Sequence, residues 1–442
     1  MASSRRSLAG FLLLVFFCLG SLQNASALPA FARKYGLRCS ACHIAWPELN
    51  DFGWRFKDNG YQLMNDRDAP IWQNPGYWPV TFRITPNWHR ESTDKVAVDT
   101  AGGGTGEAQI TSHGFDITGL DFHTGGTLEK NISFYVLPSS DSSGAFHFET
   151  VMGRLDNLFG SSWLNVKLGK FELDNMISEK RILTISNNGG FYNLYHFTPM
   201  GDTNSFGQVG DNQLGVEWMG HSVNDHTRLS AALLSSNDGQ PGLPNGNSYS
   251  LFATGSQAFD LGGLGLQRIG AYVFAGEAPT YYRTQGGIPI PGSGLGNKGF
   301  TREGIFGIFY VNKFDINVYF QHGSDSAFFG SNTQANQPLP TGAQSPTWNG
   351  AFIETHYTVN PQLIFIQRSE WVRMSQQSLP GTPSNQSNID AYTFGYRYYP
   401  IMTSRAGFAW HNEYSWVRQQ GAAPDGGALT SSSLMLGFDF DF

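Results

Sequence analysis

The last nine residues read LMLGFDFDF, Leu434 to Phe442. Leu434, Leu436, Phe438, Phe440 and Phe442 fall on one face of an extended chain, and Met435, Gly437, Asp439 and Asp441 on the other. That is the period of two of a β-strand, apolar on one side and polar on the other. FAWHNEYSW, 408–416, repeats the pattern: Phe408, Trp410, Tyr414 and Trp416 share one face, and Ala409, His411, Glu413 and Ser415 the other. Both segments reach the 9–11 residues that a tilted strand needs to cross a bilayer.

The composition agrees with a wall of such strands. Charged residues are 14% of the 442, aromatic residues are also 14%, and glycine numbers 53. Soluble domains carry roughly 25% charged residues. Beyond the first 27 residues no stretch offers the ~20 apolar residues of a helical span. A transmembrane β-barrel, with an apolar lipid face and a polar lumen, accounts for all three features. The terminal Phe442 also resembles the assembly signal of outer-membrane proteins.

Residues 1–27 read as a secretory signal: Arg5 and Arg6, the apolar run LLLVFFCL at 12–19, then Ala25-Ser26-Ala27. Its removal takes Arg5, Arg6 and Cys18, leaves a formal charge of −9, and argues against nucleic acid as a partner. The remaining chain divides near Pro79. Residues 28–79 have helical features, and 80–442 carry sixteen candidate strands. These lie near 80–92, 107–122, 127–139, 144–157, 162–173, 212–221, 226–236, 247–259, 264–277, 302–313, 314–323, 347–357, 362–374, 388–399, 404–418 and 430–442. Connections after even strands are short (HTGG at 123–126, SVND at 222–225, LGG at 261–263), and those after odd strands are mostly long. Tight periplasmic turns alternating with surface loops produce that rhythm. The expected fold is therefore a 16-stranded antiparallel transmembrane barrel with a small helical N-terminal segment as its plug. A soluble β-sandwich with one wet face is the competing reading.

In the first part, Trp46-Pro47-Glu48 is expected to open a helix, with Leu49, Phe52 and Phe56 on its apolar face and Asn59-Gly60 at its end. Just before it stands Cys39-Ser40-Ala41-Cys42-His43, a C-x-x-C-H pattern. Two thiols at this spacing bond the two vinyl groups of one haem, and the adjacent imidazole binds its iron. A zinc site would need further Cys or His ligands, a thioredoxin-like pair a βαβ scaffold, and a disulfide here would close only a tiny loop. One covalent haem c is the expectation, with Cys39 and Cys42 as attachment points and His43 as proximal ligand. The sixth position stays open between Met64, Lys57, a barrel histidine such as His89 or His123, and no ligand. Tyr35, Trp46, Phe52, Trp54 and Phe56 are the expected pocket aromatics. His123, His221 and His226 fall at expected periplasmic turns. Asp439, Asp441, Glu413 and His411 fall on the expected lumen face.

Leu28 to Tyr61, LPAFARKYGLRCSACHIAWPELNDFGWRFKDNGY, resembles the N-terminal segment of the fused outer-membrane cytochrome–porins, among them the outer-membrane iron oxidases of iron-oxidising bacteria. The PAFARKYG lead, the single C-x-x-C-H and the FG…F…NGY continuation carry the resemblance. It implies a monohaem cytochrome on a 16-stranded porin in a Gram-negative outer membrane. It also implies electron passage between an extracellular donor, Fe(II) foremost, and a periplasmic c-type cytochrome. A methionine axial ligand would raise the haem potential, which suits oxidation of ferrous iron. Because the apolar band is ~25 Å tall and the chain offers one haem motif, the segment is expected at or inside the periplasmic mouth. Outward transfer to an extracellular acceptor, a solute porin with a haem-bearing plug or redox gate, and a soluble periplasmic cytochrome are the alternative readings.

Overall fold

The structure is a computed structural model. It describes residues 30–45, 48–63, 80–140, 144–174, 177, 193–197, 207–210, 212–236, 239, 248–279, 284–285, 288–289, 297–331, 338–379, 388–403 and 407–441. Sixteen strands close into one antiparallel barrel in chain order. They are β1 Val80–Asp99, β2 Thr105–Glu129, β3 Ile132–Ser140, β4 Phe146–Leu155, β5 Asn165–Phe171, β6 Gln213–His221, β7 Thr227–Ser235 and β8 Tyr249–Asp260. The second half is β9 Leu266–Pro279, β10 Asn297–Val311, β11 Phe314–Asp325, β12 Thr347–Asn360, β13 Leu363–Gln376, β14 Asn388–Met402, β15 Gly407–Gln420 and β16 Leu429–Asp441. β16 closes the wall on β1, from Ser431 opposite Thr93 to Asp441 opposite Arg83. Closure leaves no edge strand, so the ladder satisfies the backbone within the hydrocarbon layer.

The alternation in the terminal strand sorts side chains as the sequence indicates. Met435, Asp439 and Asp441 are buried toward the lumen, while Leu436 and Phe438 stand 45% and 42% exposed on the outside. On β15, Ala409, His411, Glu413 and Ser415 point in, and Trp410 and Tyr414 point out. Leu168, Leu251 and Ile305 continue the apolar exterior around the barrel. An apolar outside and a closed ladder make this an outer-membrane barrel of porin type.

Three details differ from the sequence expectation. HTGG at 123–126 is not a turn: β2 runs through it to Glu129, and the chain reverses at Lys130 and Asn131. Gly125 serves packing: a Cβ there would lie 2.8 Å from the Tyr135 ring and 3.0 Å from the Phe134 carbonyl oxygen of the neighbouring strand, with the Phe31 ring at 3.4 Å. His123 accordingly lies within a strand, its Nδ1 2.5 Å from the Tyr135 hydroxyl. Second, the helix begins after Asn50, not at Trp46-Pro47, because Glu48–Leu49 is extended and pairs with His43–Ala45. Asn50 provides the N-cap, its side chain accepting from the Gly53 N–H at 2.9 Å. Third, the buried side of that helix carries Gly53, Trp54, Phe56 and Asp58, whereas Phe52 is 39% exposed.

The lumen is not uniformly polar. Leu173, Ile177, Leu194, Tyr195, Phe197 and Val209, all from the β5–β6 connection, are buried against Phe252, Phe274, Phe300, Tyr319, Trp348 and Phe352 of the wall. Glu370 anchors this inward fold by accepting from the Leu194 N–H at 2.7 Å and from the Asn193 N–H and side-chain amide at 3.1 and 3.0 Å. An apolar core thus lies inside the barrel, and it runs on to Trp54, Phe56 and Tyr61 of the N-terminal segment.

Leu436, near the middle of β16 and facing lipid, should tolerate a charge poorly. Leu436→Arg is expected to cost about 2–4 kcal/mol in reversible unfolding from lipid vesicles. An unchanged unfolding midpoint would contradict the placement of this face in lipid.

Candidate functional site

The Cys-X-X-Cys-His pentad folds as one helical turn, α2 (Cys39–Cys42), entered from extended Arg38 and left through extended His43. The His43 N–H donates to the Cys39 carbonyl, and both thiols are free and half-buried. The following helix, α3 (Asp51–Asp58), is stapled to this turn by Asn50. Asn50 Nδ2 donates to the Ala41 carbonyl at 3.0 Å and the Ser40 carbonyl at 3.3 Å, and its backbone N–H donates to the Cys42 carbonyl at 2.9 Å. A Cβ on Gly53 would sit 2.1 Å from the Cys42 carbonyl oxygen, so only glycine admits this approach of helix to turn. Cys39 Sγ faces the Thr403 carbonyl at 3.6 Å, placing the pentad against the end of β14. Burial, with the Asp441 carboxylate adding to it, pushes the Cys39 thiol up to about 12, and burial pushes Cys42 up to about 11.

Two sets of contacts hold the segment in the barrel. One is aromatic. Phe31, on α1 (Ala30–Tyr35), stacks on Tyr61 at 4.8 Å, and Phe56 makes T-shaped contacts with Phe31 and Tyr35 at 5.3 and 5.6 Å. Tyr61 reaches Tyr135 of β3 at 6.1 Å. The other is polar. Arg154 donates to the Lys57 and Asp58 carbonyls at 2.7 and 3.0 Å, meeting the negative end of α3. Arg228 pairs with Asp58, and also with Asp174 and Asp225 at 3.3 Å each. Asn157 donates to the Asn59 side chain at 3.0 Å. Gly60 has φ +74°, and a Cβ there would lie 2.5 Å from an Asp156 oxygen. Asp156, Asn157 and Asp225 belong to the β4–β5 and β6–β7 turns. The segment therefore sits in the mouth on the short-turn side, which faces the periplasm in such barrels.

Of the expected pocket residues, Trp54 and Phe56 are buried, Tyr35 is half-buried on Phe56, and Phe52 is exposed. Trp46 and Met64 lie outside the described residues. Among the other possible ligands, Lys57 lies over the Trp54 ring at 5.3 Å. His89 contacts Ser433 Oγ at 2.6 Å, and His123 is paired with Tyr135. His221 ends β6 and contacts the Ser222 carbonyl at 3.1 Å, and His226 lies in the following turn. His411, Glu413 and Asp439 face the lumen and are spent on one another: His411 lies 2.9 Å from Glu413 and 3.3 Å from Asp439, which also meets Arg397 at 3.1 Å.

The structure adds a surface that the motif does not announce. Ile364, Ile366, Tyr399 and Ala409 form a buried apolar patch on the inner wall, against which Ile44 and Met402 pack. Ile44 follows the pentad histidine, and Met402 precedes the Thr403 carbonyl that meets Cys39. One local signal exists: LIFI at 363–366 is apolar on both strand faces, whereas a lumen strand ordinarily alternates.

A scan against protein-family models and a search of curated proteins each return no match. Solved structures do resemble the fold. An anion-selective porin from Comamonas acidovorans aligns over 82% of this chain and 98% of its own, at 10% identity and TM-score 0.48. OmpT of Vibrio cholerae, an outer membrane protein in a trimer form, aligns over 81% and 98% at 11% identity and TM-score 0.46. Pseudomonas putida OprB aligns over 82% and 94% at 10% identity and TM-score 0.43.

Two outcomes are expected. Replacing both anchors, Arg154→Met with Arg228→Met, should let trypsin remove the segment at Arg55 or Lys57 while the barrel keeps its heat-modifiable gel migration. Equal cleavage of the parent protein would contradict the docking. In protein made without haem attachment, the raised thiols stay protonated at neutral pH. Iodoacetamide should modify folded Cys42 at pH 8 roughly 100-fold, and folded Cys39 roughly 1,000-fold, more slowly than in urea, each pKa unit being tenfold in thiolate. Equal rates would contradict their burial.

Proposed function

We propose that the chain is an outer-membrane electron-transfer protein. It holds one haem c through thioether bonds to Cys39 and Cys42, with His43 as the proximal ligand. It carries electrons between an extracellular donor, Fe(II) first among them, and a periplasmic c-type cytochrome. The observation that carries this reading is the stapled pentad: two free thiols on one helical turn and an imidazole next to them, held in the barrel mouth.

The residues fit the group. The donor set is complete for a covalent haem, whereas a structural zinc would need four ligands. The group, once bound, supplies a one-electron couple whose potential follows its axial ligands and surroundings. The chain's own residues do the rest. Asn50 and Gly53 fix the turn, so the two thiols and His43 keep one geometry. Ile44, Met402, Ile364 and Ile366 offer an apolar wall beside it that excludes water. Arg154 and Arg228 hold the segment inside the barrel. Leu194, Tyr195 and Phe197 fill the lumen from the long-loop side, which favours electron passage over diffusion of a solute. The resemblance of 28–61 to the cytochrome–porins supports the same reading.

The test uses protein produced with haem-attachment machinery and reconstituted in vesicles that enclose oxidised cytochrome c. Adding Fe(II) outside should reduce the enclosed cytochrome, and Cys39→Ser/Cys42→Ser should abolish the reduction. Solute flux through both proteins with no reduction in either would replace this reading with that of a porin.

A further inference from the structure

Glu48, Asp315 and His356 meet where the N-terminal segment touches the wall. Glu48 comes from the short ladder after the pentad, opposite Ala45, while Asp315 lies on β11 and His356 on β12. His356 Nδ1 lies 3.0 Å from Glu48 Oε2 and 3.5 Å from Asp315 Oδ2, and one ligand atom from each residue falls within 4.8 Å of the others. The site is closed to solvent: His356 is 0% exposed, Asp315 4% and Glu48 8%. Both Asp315 oxygens are buried and receive no hydrogen bond among the described residues.

The other side of the ring meets a third carboxylate. His356 Nε2 lies 2.6 Å from Glu354 Oε1, and Glu354 is also 0% exposed. A ring that donates from Nε2 to this carboxylate leaves Nδ1, 3.0 Å from Glu48, to hold either a second proton or a cation. A carboxylate that holds a histidine by its far nitrogen is the usual support of a metal-binding imidazole. Charge points the same way. Arg368 stands 3.8 Å from Glu354 and also faces Glu370, so carboxylates outnumber the guanidinium beside them. Buried charge without compensation is costly, and a cation held between Glu48 and Asp315 supplies that compensation.

We propose that Glu48, Asp315 and His356 bind a divalent first-row transition-metal ion. The imidazole favours Fe(II), Co(II), Ni(II) or Zn(II) over calcium and magnesium, which take oxygen ligands. The ion joins the segment to the wall, since one ligand comes from the segment and two from the barrel. The site does not depend on haem attachment.

The experiment uses the full chain with Cys39→Ser/Cys42→Ser, which removes thiolate binding. The protein is refolded in detergent with Co(II) or Zn(II), then gel-filtered. One Zn(II) per chain should be retained, and Co(II) should give the visible absorption of a low-symmetry N/O site. His356→Gln and Asp315→Asn should each weaken Zn(II) binding at least tenfold, with heat-modifiable migration reporting that the barrel has formed. Glu354→Gln should weaken binding less while leaving the stoichiometry intact. A second readout concerns the joint: chelator should accelerate tryptic release of the segment from the metal-loaded protein and leave Asp315→Asn unchanged. No stoichiometric metal, or equal retention by the parent and by His356→Gln and Asp315→Asn, would overturn the proposal and leave a buried ion-pair cluster.

Discussion

Backbone closure is the constraint on which the rest depends. In hydrocarbon every N–H and C=O must find its partner within the protein, and a wall of strands can do so only by returning to its own first strand. The β16–β1 seam completes the ring. Closure then sorts strand side chains by parity, one face to lipid and the other to an enclosed lumen. An enclosed lumen also lets polar and charged residues pair where water is scarce. Arg154, Arg228, His411 and His356 all sit in it nearly or fully buried, each with acidic partners.

The same enclosure makes a small N-terminal segment useful. Free in water, 34 residues from Leu28 to Tyr61 would have little core of their own. Inside the mouth, Phe31 of α1 packs on Tyr61, which reaches Tyr135 of the wall, and α3 presents its carbonyl end to Arg154. The pentad is consequently held by the barrel as much as by its own turn: Cys39 meets Thr403, Ile44 meets Ile364 and Ile366, and Glu48 meets His356. These contacts link residues over three hundred positions apart.

Much of this was legible in the sequence. Period-two alternation and the rhythm of short and long connections identify sixteen strands, and each is present in the structure, although β1 and β2 run seven residues past their expected ends and β3 and β10 begin five residues away from their expected starts. The pentad was legible for a different reason, because its chemistry demands adjacent residues. What could not be read was what closure brings together. Gly125 looked like part of a turn because glycine serves both turns and close packing, and only the position of the Tyr135 ring and the Phe134 carbonyl decides between them. Pro47 and Glu48 looked like a helix start, yet Asn50 caps the helix and Glu48 turns to the wall. The Glu354-x-His356 spacing does place both side chains on one strand face, but Asp315 and Glu48 join them only in three dimensions. The inward fold of the β5–β6 connection left no local trace beyond its length.

The central claim is that the stapled pentad holds a haem within this barrel. The most direct measurement is the mass of the peptide spanning Cys39 to His43, from protein produced with haem-attachment machinery and purified from outer membranes. The account predicts this peptide carrying one haem by two thioether bonds. The same peptide recovered with two unmodified cysteines, or with a Cys39–Cys42 disulfide, would contradict it.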